Sequence, residues 1–198
     1  MGASFAGLAV ARELRAEVLL LDRYERGTHQ TSACEQCRVR FLQTAVKGLR
    51  EGGVETEDGR FEAPCVIDAS GWPRALVGGT APTAPATTRL SFGLETKAAY
   101  TGESLYFWLD PAILGEGAAW VFPVGARSRI GVGSFAGATK LRAPLERFLE
   151  DLDAASDRFH GTYFPAELGT PTVGGVFAVG DAAGQCNPLT AEGIRPER

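Results

Sequence analysis

Apolar residues fall into short runs along this chain, and the runs change period. Leu8, Ala11 and Leu14 recur at helical spacing and predict a helix behind Gly2-Ala3-Ser4-Phe5-Ala6-Gly7. Val18-Leu19-Leu20-Leu21 is apolar without a break, as in a strand buried on both faces, and it stops at Asp22. Val39 to Leu49 alternates loosely and reads as a strand. Gly52-Gly53 predicts a turn. Val54–Glu57 and Arg60–Ala63 flank Asp58-Gly59, a two-residue hairpin turn. Cys65-Val66-Ile67 reads as a buried strand ending at Asp68-Ala69-Ser70-Gly71. Val176-Phe177-Ala178-Val179 reads as another, ending at Gly180-Asp181.

The pattern changes after a stretch rich in Gly, Pro, Ala and Thr at 78–87, which reads as a linker. Four runs, at 90–95, 105–109, 118–123 and 128–135, predict antiparallel strands. Tyr106 and Trp108, and Trp120 and Phe122, stand at alternate positions, which predicts rings on one sheet face. Such rings either pack a core or wall an apolar ligand cavity, and both readings stand at this point. Leu141, Leu145, Phe148, Leu149 and Leu152 predict an amphipathic helix with Pro144 in its first turn. Residues 157–170 read as a loop or a return strand. The expected fold class is α/β: a Rossmann-like dinucleotide-binding domain with an inserted antiparallel β-sheet. The expected division is 1–78 with 165–198 for the first, discontinuous domain, and 79–164 for the sheet region with its helix.

Composition narrows the classes. Of 198 residues, 44% are hydrophobic and 22% charged, which is ordinary for a globular chain. The net charge of -4 gives no whole-chain electrostatic case for nucleic acid. No apolar run approaches the roughly 20 residues of a membrane span. Met1 opens directly onto a glycine turn, so no signal peptide is expected and the expected location is cytoplasmic. The four cysteines are Cys34, Cys37, Cys65 and Cys186. They show no zinc spacing with a second pair, so no metal site is expected and unpaired thiols are the plain reading.

Candidate chemistry sits at the strand ends. Gly2 to Asp22 gives the glycine-loop, helix, strand, acid order of a dinucleotide site, with Ser4 in place of the middle glycine. The loop and helix start suit a pyrophosphate, and Asp22 suits a ribose hydroxyl. The interval from Gly7 to Asp22 is shorter than the usual separation of about 20 residues. The second site is Gly180-Asp181-Ala182-Ala183-Gly184-Gln185-Cys186-Asn187-Pro188-Leu189-Thr190-Ala191-Glu192-Gly193-Ile194. Small residues here admit a ligand close to the backbone, and Pro188-Leu189 leads toward a helix start that favours an anion.

This second stretch resembles the flavin-contacting motif of the geranylgeranyl reductase family, FAD-dependent oxidoreductases with a glutathione-reductase-like FAD fold. Asp68-Ala69-Ser70-Gly71-Trp72-Pro73-Arg74 resembles a further strand-end motif that those reductases share with flavoprotein monooxygenases. Trp120-x-Phe122-Pro123 followed by Gly131-x-Gly133 resembles the family's substrate-domain signature, with Ala118 where a Tyr is expected. The resemblance implies FAD as cofactor, with NAD(P)H as a candidate electron donor. It implies FAD contacts at Gly2, Ser4, Phe5, Ala6, Gly7, Asp22, Arg23, Asp68, Ala69, Gly71, Gly180, Asp181, Ala182, Pro188, Glu192 and Gly193. It implies substrate contacts at Trp120, Phe122 and Pro123, and at Cys34, which is followed here by Glu35 rather than Gly. No catalytic side chain is assigned.

The implied activity is reduction of double bonds in a small apolar, isoprenoid substrate, and peripheral membrane contact through a lipid substrate is left open. Two alternatives stand beside it. One is a flavin-dependent aromatic monooxygenase or halogenase, although the halogenase string W-x-W-x-I-P is not present. The other is a non-catalytic relic, because the chain reads as shortened before Gly2, after Cys34 and after Glu192. The oligomeric state is not specified by the sequence.

Overall fold

The structure is a computed structural model and describes residues 5–14, 16–24, 39–78, 90–187, 189–190 and 193. The chain divides into two compact units: Met1–Thr88 with Glu167–Arg198, and Arg89–Ala166.

The first unit begins with α1 (Phe5–Glu13) and β1 (Val18–Asp22). Leu8 and Leu20 are buried together, with Val39 and Phe41 packed against them. The helical stripe stops short of Leu14, which is exposed. The loosely alternating run from Val39 is two strands rather than one: β2 (Val39–Gln43) and β3 (Val46–Arg50). β2 lies parallel to β1, with Leu20 opposite Phe41. The chain breaks between the two strands at Thr44, whose N–H is held by the Asp22 carbonyl at 2.8 Å.

β3, β4 (Gly53–Thr56) and β5 (Gly59–Glu62) form an antiparallel meander. Thr56 pairs with Gly59, so the two loop residues are Glu57 and Asp58, one position earlier than the Asp-Gly signal predicts. The reason is Thr56: its buried hydroxyl accepts from the Asp58 N–H at 3.1 Å and donates to the Gly59 carbonyl at 2.9 Å. That side chain closes the turn locally, leaving Gly59 to supply the positive φ of 124°.

β6 (Val66–Asp68) pairs in parallel with β13 (Val176–Ala178), and β12 (Thr172–Val173) adds antiparallel to β13 through Gly174-Gly175. A 3-10 turn, Gly180–Ala183, follows β13. Val77, Val176, Ala178, Ala182 and Ala183 form the buried cluster that ties this turn to the sheet.

The second unit is a five-stranded antiparallel sheet in the order β11-β7-β10-β9-β8. Its strands are β7 (Leu90–Ala98), β8 (Tyr106–Trp108), β9 (Gly117–Val124), β10 (Arg127–Ser134) and β11 (Ser156–Pro165). The last of these settles residues 157–170 as a long return strand followed by a loop. Helix α2 (Arg142–Asp151) places Leu145, Phe148 and Leu149 against the sheet, where they meet Ala98, Ala119, Val121, Ile130 and Val132. Leu141 is buried just before the helix. The spacing of these leucines and Phe148 is what makes this segment a helix that binds one sheet face.

The register corrects one expectation about the rings. Tyr106 stands opposite Val121 and Trp108 opposite Ala119, so both rings share the face that carries α2. Trp108 meets Phe148 edge to face at 5.4 Å. Trp120 and Phe122 alternate with Val121 and therefore lie on the opposite face. The two pairs of rings do different jobs: one closes the core, and the other does not belong to it.

Candidate functional site

In the first unit, two parallel strands end side by side with an acid near each end. Asp68 is the last residue of β6 and is fully buried. Its Oδ1 accepts from Ser70 N–H at 2.9 Å, and its Oδ2 accepts from Leu76 N–H at 2.8 Å and Val77 N–H at 3.1 Å. Its own carbonyl accepts from Val179 N–H at 3.0 Å. Asp68 thus holds the loop 69–77 and the end of β13 in place. Ala69 is buried in that loop, and Gly71 turns it with a φ of +81°.

Asp181 stands in the first turn of the 3-10 segment after β13. Burial raises its carboxyl pKa above the ordinary 3.8. A Cβ added to Gly193 would come 3.3 Å from its Oδ1, so the chain passes close to this carboxylate at a residue without a side chain. The turn itself is fixed from both ends. Gly180 has a φ of +60°, its N–H donates to Gln185 Oε1 at 2.9 Å, and Gln185 N–H donates back to the Gly180 carbonyl at 3.0 Å. A Cβ on Gly180 would stand 2.6 Å from the Ala6 Cβ. That contact brings the start of α1, just past the glycine-rich loop, against the Asp181 turn.

The small residues of the turn have a packing role of their own. Ala182 and Ala183 are buried among Val77, Val176 and Ala178, and a side chain on Gly184 would run into the Glu167 carbonyl. Asn187 Oδ1 accepts from Leu189 N–H at 2.9 Å and Thr190 N–H at 3.1 Å, which is the geometry of a helix N-cap. Pro188 and Glu192, like Gly2, Ser4 and Cys34, lie outside the described residues. Phe5 opens α1, and Gly7 is buried in its first turn.

Asp22 ends β1, and its Oδ1 accepts from Tyr24 N–H at 2.9 Å. Arg23 is exposed beside it, with its guanidinium 5.9 Å from the Tyr24 ring centre. Cys186 follows the 3-10 turn. Burial, and then the Asp181 charge, push its thiol up to about 12, so it is a neutral, unreactive thiol at physiological pH.

In the second unit the Trp120 ring lies across a floor of glycine. A Cβ on Gly131 would overlap its Cζ2 and Cε2, one on Gly133 would stand 3.2 Å from Cζ3, and one on Gly93 would stand 3.5 Å from Cη2. The G-x-G string is therefore the bed of this indole. Phe122 stacks on Trp120 at 6.1 Å, and Phe164 reaches Gly93 from β11. Pro123 follows on the α2 side, opposite Ser128. Trp120 Nε1 and Ser91 Oγ are buried without a hydrogen-bond partner among the described residues. Ser91 alternates with Phe92 and shares the Trp120 face, so both orphaned donors lie there.

Sequence reasoning gave no role to Gln185, which locks the Asp181 turn, or to Asn187, which holds the following turn at Leu189-Thr190. Asn187 had a readable signal: an Asn two residues before an apolar-polar pair is an N-cap pattern. Gln185 had none, since its partner is set by the positive φ at Gly180.

Comparison with known proteins places this geometry. The structure superposes on a geranylgeranyl bacteriochlorophyll reductase-like protein from Thermoplasma acidophilum with a TM-score of 0.70, over 88% of this chain and 53% of that one, at 20% identity. It also matches a flavin-dependent halogenase from Xanthomonas campestris with a TM-score of 0.62, over 84% of this chain and 36% of that one, at 16% identity. The chain thus has the fold shared by these proteins. By sequence it is similar to digeranylgeranylglycerophospholipid reductase 2 of Methanothermobacter thermautotrophicus, at 33% identity over 98 residues, covering 46% of this chain and 26% of the relative. A digeranylgeranylglycerophospholipid reductase of Methanocaldococcus jannaschii is 34% identical over 99 residues, covering 44% and 25%. The match spans about a quarter of the length of these curated relatives. No family model matches the chain. Over part of its length the chain is thus similar in sequence to digeranylgeranylglycerophospholipid reductases, and in fold to a geranylgeranyl bacteriochlorophyll reductase-like protein.

Proposed function

We propose that the first unit is a Rossmann-like FAD-binding domain, that the second is a substrate domain inserted into it, and that the chain serves the reduction of double bonds in an isoprenoid lipid. The observation that carries this reading is the contact of Gly180 with Ala6. It sets the start of α1, where a helix's first N–H groups have no intrahelical carbonyl to meet, beside the turn that carries Asp181. Ligands of open α/β sheets bind outside the carboxyl ends of parallel strands, and β6 and β13 both end here.

The residues present fit the cofactor. A half-buried carboxylate with a raised pKa gains most from a hydroxyl donor, and the ribityl chain of FAD is a row of hydroxyls. Gly193 leaves the approach to Asp181 free of side chain. Asp22 and Arg23 would take the adenosine end, and Asp68 would act by holding the loop that carries Ala69 and Gly71. When bound, FAD supplies hydride chemistry that no side chain can supply. In the second unit, Trp120 and Phe122 offer apolar surface for a prenyl chain, bordered on the same face by the ion-paired Arg129 and Glu95. Trp120 Nε1 and Ser91 Oγ are buried beneath that face without a partner among the described residues. The sequence relatives are reductases, which favours reduction over halogenation. NAD(P)H remains the candidate electron donor.

The test is the absorbance of the purified chain between ~320 and 550 nm after gel filtration with FAD. Two flavin bands that co-elute with the protein and bleach on anaerobic reduction support the reading. A chain that stays colourless with added FAD refutes it and leaves the non-catalytic alternative.

A further inference from the structure

We propose that Arg74 is a positioning residue: its guanidinium, seated on Gly169, couples the loop after β6 to the turn after β13 and keeps the two strand-end motifs at one fixed spacing for a bound cofactor. The inference rests on the FAD reading above and adds a residue to which that reading gives no part.

The backbone of Arg74 is the first sign. Its φ is +50°, a left-handed value that glycine or asparagine takes more readily than a residue with a long side chain. Arg74 N–H donates to the Gly71 carbonyl at 3.0 Å, and the Arg74 carbonyl accepts from Gly78 N–H at 2.7 Å. Glycine at this position would make both bonds without strain, so the bonds do not explain the side chain. A strained residue persists where its surroundings hold it, and such residues gather at functional sites.

The side chain leaves its own loop and reaches the segment before β12. A Cβ added to Gly169 would overlap Arg74 Nη1 and would stand 2.9 Å from Cζ and 3.0 Å from Nη2. The flat guanidinium therefore lies on backbone that carries no side chain. Gly169 is in turn tied to the second motif. Its N–H donates to the carbonyl of Ala183, the last residue of the 3-10 turn that carries Asp181, at 2.9 Å. Gly184 closes the same turn, with its N–H on the Asp181 carbonyl at 3.0 Å, and a Cβ there would stand 2.8 Å from Gly169 N. A path of direct contacts thus runs from the loop 69–77, through Arg74 and Gly169, to the Asp181 turn.

Two links then join the motifs at different depths. Val179 N–H on the Asp68 carbonyl ties the strand ends at 3.0 Å. Arg74 ties the loops beyond them, where Ala69, Gly71 and Asp181 stand. A cofactor that touches both loops gains when their spacing is fixed in advance, because ordering them then costs less at binding. A planar guanidinium on a glycine fixes that spacing more firmly than a flexible ammonium can.

The experiment separates the side chain from the strain of its backbone. Arg74→Gly removes the guanidinium and relieves the positive φ, so the melting temperature should move by less than about 4 °C. FAD affinity, read by quenching of flavin fluorescence, should fall about tenfold. Gly169→Ala leaves Arg74 in place, pushes its guanidinium off its seat and should weaken FAD to a similar degree. Both changes act on one contact, so the double variant should lose no more than the worse single one. Arg74→Lys keeps charge and reach without the plane and should recover part of the affinity. The flavin-free chains are compared by amide hydrogen exchange, where Arg74→Gly should speed exchange several-fold at Gly169 and Gly184, across the contact. Affinity that merely follows the melting temperature, additive losses in the double variant, or unchanged exchange at Gly169 and Gly184 would each overturn the proposal. A chain that binds no FAD, yet whose exchange at Gly169 responds to Arg74→Gly, sinks the cofactor reading and spares the coupling. A chain that binds FAD with an affinity indifferent to Arg74 and Gly169 does the reverse.

Discussion

Removing the Asp68 carboxylate should cost more than any other single change near the strand ends. The side chain is fully buried and accepts three backbone N–H groups, from Ser70, Leu76 and Val77. Asp68→Ala strands all three. Hydrogen bonds to a charged acceptor contribute roughly 1.5–3 kcal/mol each, and a buried donor left bare costs roughly 1–3 kcal/mol. Val77 N–H is buried and the other two are part-buried, so water rescues them in part. The sum is a loss of roughly 3–5 kcal/mol. At about 2–4 °C per kcal/mol for a chain of this length, the melting temperature should fall by about 10 °C. Asp68→Asn is the graded control. Its single carbonyl oxygen can replace Oδ2 and keep Leu76 and Val77, while its amide faces the Ser70 N–H, donor against donor. Its cost should be roughly 1–2 kcal/mol. Urea unfolding followed by circular dichroism orders the three chains. Equal stability of Asp68→Ala and wild type, or Asn worse than Ala, would refute the assignment of Asp68 as the anchor of this loop.

Other substitutions probe the remaining contacts. Gly180→Ala forces a non-glycine residue to a φ of +60° and drives a methyl group to 2.6 Å from Ala6; a loss of about 2 kcal/mol or more and loss of FAD binding are expected in a urea and flavin titration. Gly131→Ala collides with the Trp120 indole and stands 2.8 Å from the Leu94 carbonyl, so a cost of roughly 1–3 kcal/mol should appear in the same unfolding assay. Burial raises the Asp181 pKa, so the folded chain holds that proton more tightly than the unfolded chain, and this group's contribution to stability is fully present below 3.8 and lost as pH rises through the folded value. Asp181→Asn should therefore raise the melting temperature of the flavin-free chain at neutral pH, lose that advantage in acid, and weaken FAD binding; an unchanged melting curve at neutral pH would count against it. Cys65 is exposed while the Cys186 thiol sits near pKa 12, so alkylation at mildly alkaline pH, read by peptide mass spectrometry, should label Cys65 well before Cys186.

Elements with one strong period were legible in the sequence. The stripe Leu141, Leu145, Phe148, Leu149 gave α2 nearly to the residue, and the unbroken run Val18–Leu21 gave β1. Boundaries failed where a hydrogen bond outside the apolar pattern decided the break. Thr56 moved the hairpin loop to Glu57-Asp58, and a bond to the Asp22 carbonyl split the run from Val39 at Thr44. The shared face predicted for the four rings failed for a different reason. Alternation within a strand says which of its own residues share a face. Which faces two strands have in common is fixed only by their register. Once Tyr106 stands opposite Val121, the neighbouring Trp120 must point the other way.

The candidate site draws on glycines, which mark places where the backbone passes close to something else. That signal does not say what the something is. At Gly180 it is Ala6, at Gly184 the Glu167 carbonyl, at Gly131 an indole ring, and at Gly193 a carboxylate. In three of the four the neighbour is uncharged protein, and the glycine is explained by packing alone. Gly193 differs, because the group it admits is a half-buried acid whose burial opposes its charge. Among the described residues no donor is placed on this carboxylate, and a ligand with hydroxyls would give it a partner. Asp181 is therefore the residue where the chain departs from what folding alone would choose. It should be the first position at which stability and flavin affinity move in opposite directions.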